Sequence, residues 1–229
     1  MSEHHHHHHH APAIPVTMNM SFAIAVSANL LFTLAEAILA LEANSASLLG
    51  DAGHNFSDVL GLLLAWGATY LVSRASGRDY SYGYRRTTIL AALLNAMLLL
   101  LAAGYIAVQS LEKFYNPVAP SETLIILVAL VGIAVNGGTA LLFMKSSKGD
   151  LNLKGAFLHL AYDALISAGV VVGGVVILFT GWLWVDPLMG LLITAVIVYG
   201  TWALLRDSIN LILDAVPQGI DRQGIVSYL

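Results

Sequence analysis

Outside the run His4 to His10 the chain has two histidines, and each stands four residues ahead of an aspartate: His54 before Asp58, and His159 before Asp163. Residues four apart share one face of a helix, so each segment offers one imidazole and one carboxylate in the same direction. Both segments are apolar enough to cross a membrane. Two such faces brought together make a nitrogen and oxygen site with four ligands, which suits a transition metal and, first among these, zinc. The same four groups must be deprotonated to hold a metal, so they exchange protons for the ion, the minimum an antiporter needs. The plainer alternative is a pair of His–Asp bridges that hold helices together. Ionisable groups at bilayer depth cost ~2.5–3.5 kcal/mol each on insertion scales, and two matched pairs at that cost favour a function.

The elements that must position these residues follow from composition. Of 229 residues, 58% are hydrophobic and 10% charged, against roughly 25% charged in a soluble domain. The chain therefore reads as an all-α integral membrane protein. It has no cysteine, which excludes disulfides, thiolate metal sites and cysteine catalysis. The net charge of −4 carries no long basic patch, so nucleic acid is not a partner. No cleaved signal peptide is expected, and the first span serves as its own membrane address.

A spanning helix needs about 20 apolar residues, and the chain offers six candidates, at about 16–41, 46–72, 87–113, 121–144, 154–180 and 183–205. Turn-forming or charged segments separate them. The expected organisation is a histidine-rich tail or tag over 1–15, a six-helix transmembrane domain over 16–206, and a short stub over 207–229. Nine of the ten Lys and Arg residues (Arg74, Arg78, Arg85, Arg86, Lys145, Lys148, Lys154, Arg206 and Arg222) fall on one side of this arrangement, and Lys113 alone falls on the other. The positive-inside rule then puts both termini in the cytoplasm. Trp182 and Trp184 suit the outer interface, and a bacterial inner membrane is the simplest home for such short loops.

In this frame the two His–Asp pairs approach the middle of the bilayer from opposite sides. Three more polar residues are candidates for accessory roles. Asp51, three residues before His54, could gate the site or relay protons, or sit solvated near its helix end. Glu36 could line a cavity, snorkel or pair. Asn136, beside Gly137 and Gly138, suits an interhelical hydrogen bond at a close helix contact, with support of the site as a second role. The run His4 to His10 reads equally as a purification tag or a zinc collector and carries no weight in the assignment.

Several motifs occur together in order. They are the segment Ser47 to Asp58, the basic segment Tyr82-Gly83-Tyr84-Arg85-Arg86, His159 to Asp163, Asp186-Pro187, Leu204 to Ser208, and Asp214-Ala215-Val216-Pro217. The chain thus resembles the cation diffusion facilitator family of divalent-metal/proton antiporters over roughly residues 16 to 220. The resemblance implies His54, Asp58, His159 and Asp163 as the transport site, zinc as cargo rather than cofactor, protons as counter-ion, a homodimer, and alternating access. It also implies a preference for zinc over cadmium where histidine, not aspartate, opens the second-helix pair. Family members commonly continue into a cytoplasmic ferredoxin-like domain. Here Gln218 to Leu229 is too short for one, so either a truncated C-terminus or a naturally short member is expected, truncation first because Ile220 to Val226 reads like the start of that domain's first helix.

Within transport, cobalt, nickel, cadmium or iron could also be carried by such ligands. An intramembrane metal-dependent hydrolase is the alternative from another class, but no H-E-x-x-H motif is present. Four protein ligands also leave no open position for the water such an enzyme needs. A sensor or scaffold would need a soluble output domain. The reading is therefore a transporter, not an enzyme, with no catalytic residue assigned.

Overall fold

The computed structural model describes residues 20–74, 85–144 and 151–215. The run His4 to His10, Arg78, Tyr82 to Tyr84, Lys145, Lys148 and the segment 216–229, all invoked above, lie outside the described residues. Six helices follow in order: α1 (Met20–Glu42), α2 (Ala46–Arg74), α3 (Arg85–Tyr115), α4 (Glu122–Met144), α5 (Leu151–Thr180) and α6 (Val185–Ile212). Among the described residues, the spans in α3, α4, α5 and α6 are long and apolar enough to cross a membrane. With α1 and α2 they form one bundle.

The bundle is apolar outside and polar within, the reverse of a soluble protein. Leu101, Val108, Leu165, Val172, Tyr199 and Trp202 are exposed, whereas Glu36, Asp51, Asn55, Asn136, Asp163 and Ser167 are buried. Lipid solvates the first group at no cost, while the second group finds partners only inside. Helix α4 packs along α5 and α3 along α6, and α2 touches all five of its fellows. A small apolar core that includes Leu48, Ile125, Val170 and Ile193 joins them. Helices α2 and α5 share a much smaller interface than α4 with α5 or α3 with α6.

The turns explain where helices stop. Asn44 takes a left-handed conformation, φ 48°, and the Ser45 N–H reaches back to the Ala40 carbonyl at 3.0 Å, which closes α1 as a left-handed cap does. Lys113 Nζ donates to the Asn44 carbonyl at 2.7 Å. The one cation on that side of the chain is thus tied to the α1–α2 turn.

Ser45 caps α2: its Oγ accepts the Leu48 N–H at 3.1 Å. Asp186, in the first turn of α6, is buried and takes four bonds from the same turn. They come from Ser45 Oγ (2.6 Å), Ala46 N (2.7 Å), Ser47 N (3.1 Å) and Ser47 Oγ (2.6 Å). A carboxylate is well placed there, because free N–H groups and the helix dipole both favour negative charge at a helix start. One turn further, a Cβ on Gly190 would meet Ser110 Oγ at 2.6 Å and Ala46 at 3.0 Å, so α6 passes α2 and α3 with no room for a larger residue. Trp182 and Trp184 stack at this end, with ring centroids 5.6 Å apart.

Helix α6 continues to Ile212, beyond 205, where its apolar run ends. Backbone hydrogen bonds hold a helix equally well outside lipid, and the stop comes at Asp214, φ 49°, with the Ala215 N–H on the Asn210 carbonyl.

Candidate metal centre

The two His–Asp pairs meet. His54 stands eight residues into α2 and His159 eight residues into α5, and the two helices start at opposite ends of the bundle. Eight to twelve residues at ~1.5 Å each put the pairs about 12–18 Å from either end. The cluster thus falls near the middle of a core ~30 Å thick.

The pairing is crossed. His54 Nε2 lies 3.2 Å from Asp163 Oδ1 on the other helix and 3.9 Å from Asp58 Oδ2 on its own. His159 Nε2 lies 3.3 Å from Asp58 Oδ2 and 3.8 Å from Asp163 Oδ2. Each imidazole therefore leans towards the carboxylate across the gap. His54, Asp58 and Asp163 each offer a ligand atom within 4.8 Å of the others. His159 stands outside this closer set of three, beside both carboxylates, and its side chain is 48% exposed against 4% for Asp163. The open side of the cluster is the His159 side.

Four atoms arranged tetrahedrally around zinc at ~2.0–2.1 Å stand about 3.3 Å from each other. The His–Asp separations above, from 3.2 to 3.9 Å, are close to that edge length. Asp58 Oδ2 is buried and receives no hydrogen bond, although two imidazoles face it. A buried acceptor without a donor is costly, and a cation in the gap removes that cost. Two neutral imidazoles and two carboxylates also cancel a double positive charge.

The accessory candidates sit beside this cluster. Asp51 is fully buried, which removes the solvated alternative, and accepts a bond from Ser167 Oγ at 2.8 Å. Glu36 is also fully buried and does not snorkel; its Oε2 accepts from Asn55 Nδ2 at 3.0 Å. Asn136 Nδ2 reaches Asn55 Oδ1 at 3.5 Å, which makes Asn55 the hub between α1, α2 and α4. Asn55 and Ser167 have no place in the reading from sequence. The available signal was faint: Asn55 adjoins His54, and Ser167 follows Asp163 by one turn on the same face.

The chain matches the model of the cation efflux transmembrane domain over residues 22–213. It is 33% identical over 197 residues to a cadmium, cobalt and zinc/H(+)-K(+) antiporter of Bacillus subtilis, covering 85% of this chain and 63% of that protein. Against the metal cation efflux system protein CzcD of Cupriavidus metallidurans the identity is 34% over 201 residues, covering 88% and 64%. Against the zinc transporter ZitB of Pectobacterium atrosepticum it is 32% over 195 residues, covering 85% and 61%. The chain spans under two thirds of the length of each of these relatives.

Proposed function

Because the chain belongs to the cation efflux family and is a multi-pass membrane protein with bacterial relatives, we propose that it moves a divalent cation, zinc first, out of the cytoplasm in exchange for protons. The cation is held by His54, Asp58, His159 and Asp163. The observation that carries this reading is the crossed cluster: two imidazoles and two carboxylates from two helices, with the pairs across the gap 3.2 and 3.3 Å apart, at mid-depth in an apolar bundle. The names of the relatives support it, since zinc, cadmium, cobalt and protons appear among them.

In this mechanism a dehydrated cation enters from the exposed His159 side and gathers the other three ligands. The cluster is then presented to the opposite face by relative motion of α2 and α5, whose small shared interface offers little packing to break. Proton return to the carboxylates and imidazoles releases the ion, because protonated ligands bind metal poorly. Pairing of two copies, which the resemblance implies, belongs to the same reading.

The test is zinc flux into proteoliposomes under an imposed pH gradient, with protein lacking His4 to His10. Flux that rises with the gradient and collapses when a protonophore dissipates it supports exchange. Flux indifferent to the gradient removes the proton as counter-ion.

Selectivity gives a second check on the ligand set. His54→Asp would turn a two-carboxylate site into a three-carboxylate one, more negative and better suited to a larger ion with more oxygen ligands. The ratio of zinc to cadmium flux is expected to fall by roughly tenfold or more. An unchanged ratio would take His54 out of the selecting set.

A further inference from the structure

Glu36 on α1 and Asp51 on α2 are both fully buried, and Asn55, whose side chain bonds Glu36, follows Asp51 by one turn on the same face of α2. Each has one oxygen served by a neutral donor, Asn55 Nδ2 on Glu36 Oε2 and Ser167 Oγ on Asp51 Oδ2. The other oxygens, Glu36 Oε1 and Asp51 Oδ1, are reached by no donor. Neither oxygen has a donor in the fold, and a proton on one of the two carboxyl groups supplies one. Two ionised carboxylates without a cation would also leave a double negative charge inside the membrane, the most costly state available. One proton held by the two groups halves the charge and gives them an O–H donor.

The surroundings fit a site that answers to the metal cluster without belonging to it. Among the described residues, His54 follows Asp51 by three residues on α2, Asp163 precedes Ser167, the donor to Asp51, by one turn on α5, and α4 brings the neutral Asn136 by way of Asn55. Asp51 precedes His54 by three residues, a rise of ~4.5 Å. A dication arriving among the ligands raises the local positive potential and favours loss of a neighbouring proton. We propose that Glu36 and Asp51 form a buried acid pair that holds one proton while the four-ligand cluster is empty and releases it when a divalent cation binds. The step is a heterolysis of one carboxyl O–H bond: the electron pair stays on the carboxylate, and the proton leaves to water as the cation enters. This proposal rests on the reading of the cluster as the cation site and gives that site a counter-ion position separate from its own ligands.

Calorimetric titration of the purified protein with zinc, in buffers of different ionisation enthalpy, counts the protons released per ion bound. Glu36→Gln is the informative variant, because glutamine keeps the acceptor for Asn55 and offers Asp51 a permanent N–H in place of the shared proton. It is expected to bind one zinc at the cluster and to release about one proton fewer than the wild type. Asp51→Asn should behave alike. A proton count equal to wild type in both variants overturns the proposal. The parent reading fails separately, if Asp58→Asn binds zinc as wild type does. Should neither pair variant fold, infrared difference spectra decide. A carboxylic-acid C=O band that zinc removes from the wild type, and that Asp58→Asn/Asp163→Asn retains, supports the pair, and its absence overturns it.

Discussion

Asp58→Ala is expected to abolish zinc transport, with flux at least ~100-fold below wild type at equal protein in the membrane. The size of the effect follows from where Asp58 Oδ2 stands. It is the cluster atom shared by both imidazoles, at 3.9 Å from His54 and 3.3 Å from His159, and it has no hydrogen bond to lose. Removing it takes away one ligand and half of the negative charge that offsets the ion, in a medium where uncompensated charge is severely penalised. His159→Ala should act in the same direction by removing the exposed ligand that an incoming ion meets first. The apolar exterior and the packing of α2 on its neighbours are untouched by either change, so both variants should reach the membrane in normal amount. The measurement is initial zinc flux in proteoliposomes, normalised to inserted protein. Wild-type flux from Asp58→Ala would remove the cluster from the transport path altogether.

Asp186→Ala should be the most damaging change for the fold. The buried carboxylate gathers two backbone N–H groups and two hydroxyls of the Ser45–Ser47 turn. Alanine would leave the N–H groups of Ala46 and Ser47 facing no acceptor and α6 detached from the start of α2. Hydrogen bonds to a charged group contribute about 1.5–3 kcal/mol each, and losing a buried charged partner typically costs about 3–5 kcal/mol. In a chain of this length each kcal/mol moves the midpoint by ~2–4 °C, so Tm in detergent should drop by about 10 °C. Zinc affinity of the protein that survives should change far less, because the turn does not touch the cluster. A midpoint within ~2 °C of wild type would show that the turn is held by other contacts.

The two His–Asp pairs stand out in the sequence because each histidine is alone of its kind in its apolar run and precedes an aspartate by four residues, a spacing only a helix makes meaningful. The six helices were legible for the same reason, since a spanning segment must bury its backbone in its own hydrogen bonds. What supports the cluster was not. Ser167 meets Asp51 across 116 positions and Asp186 meets Ser45 across 141. A pattern of hydropathy along one chain holds no information on which helices lie side by side. Asp186-Pro187 reads as a helix opening, and only packing reveals that the aspartate caps a different helix from its own. Glu36 and Asp51 were ambiguous between solvated and buried because the depth of a carboxylate near a helix end depends on its neighbours. The end of α6 was not legible for a different reason: lipid sets where an apolar run stops, near 205, whereas backbone conformation at Asp214 sets where the helix does.

The attachment of α2 at one end has a mechanical corollary. Its first turn is fastened by Asp186 and crowded at Gly190, while at mid-length it touches α5 over little area. A rod held this way turns about its fastened end. With 29 residues at ~1.5 Å each, the arm is about 43 Å long, and the ligands sit 12–18 Å along it, roughly a third of the way. A swing of about 10° would carry His54 and Asp58 some 2–3 Å, enough to part them from His159 and Asp163, and the far end about 7 Å. The fulcrum at Ser45 to Ser47 thus gives leverage: a displacement at the cluster of one ligand-bond length is magnified about threefold at the far end.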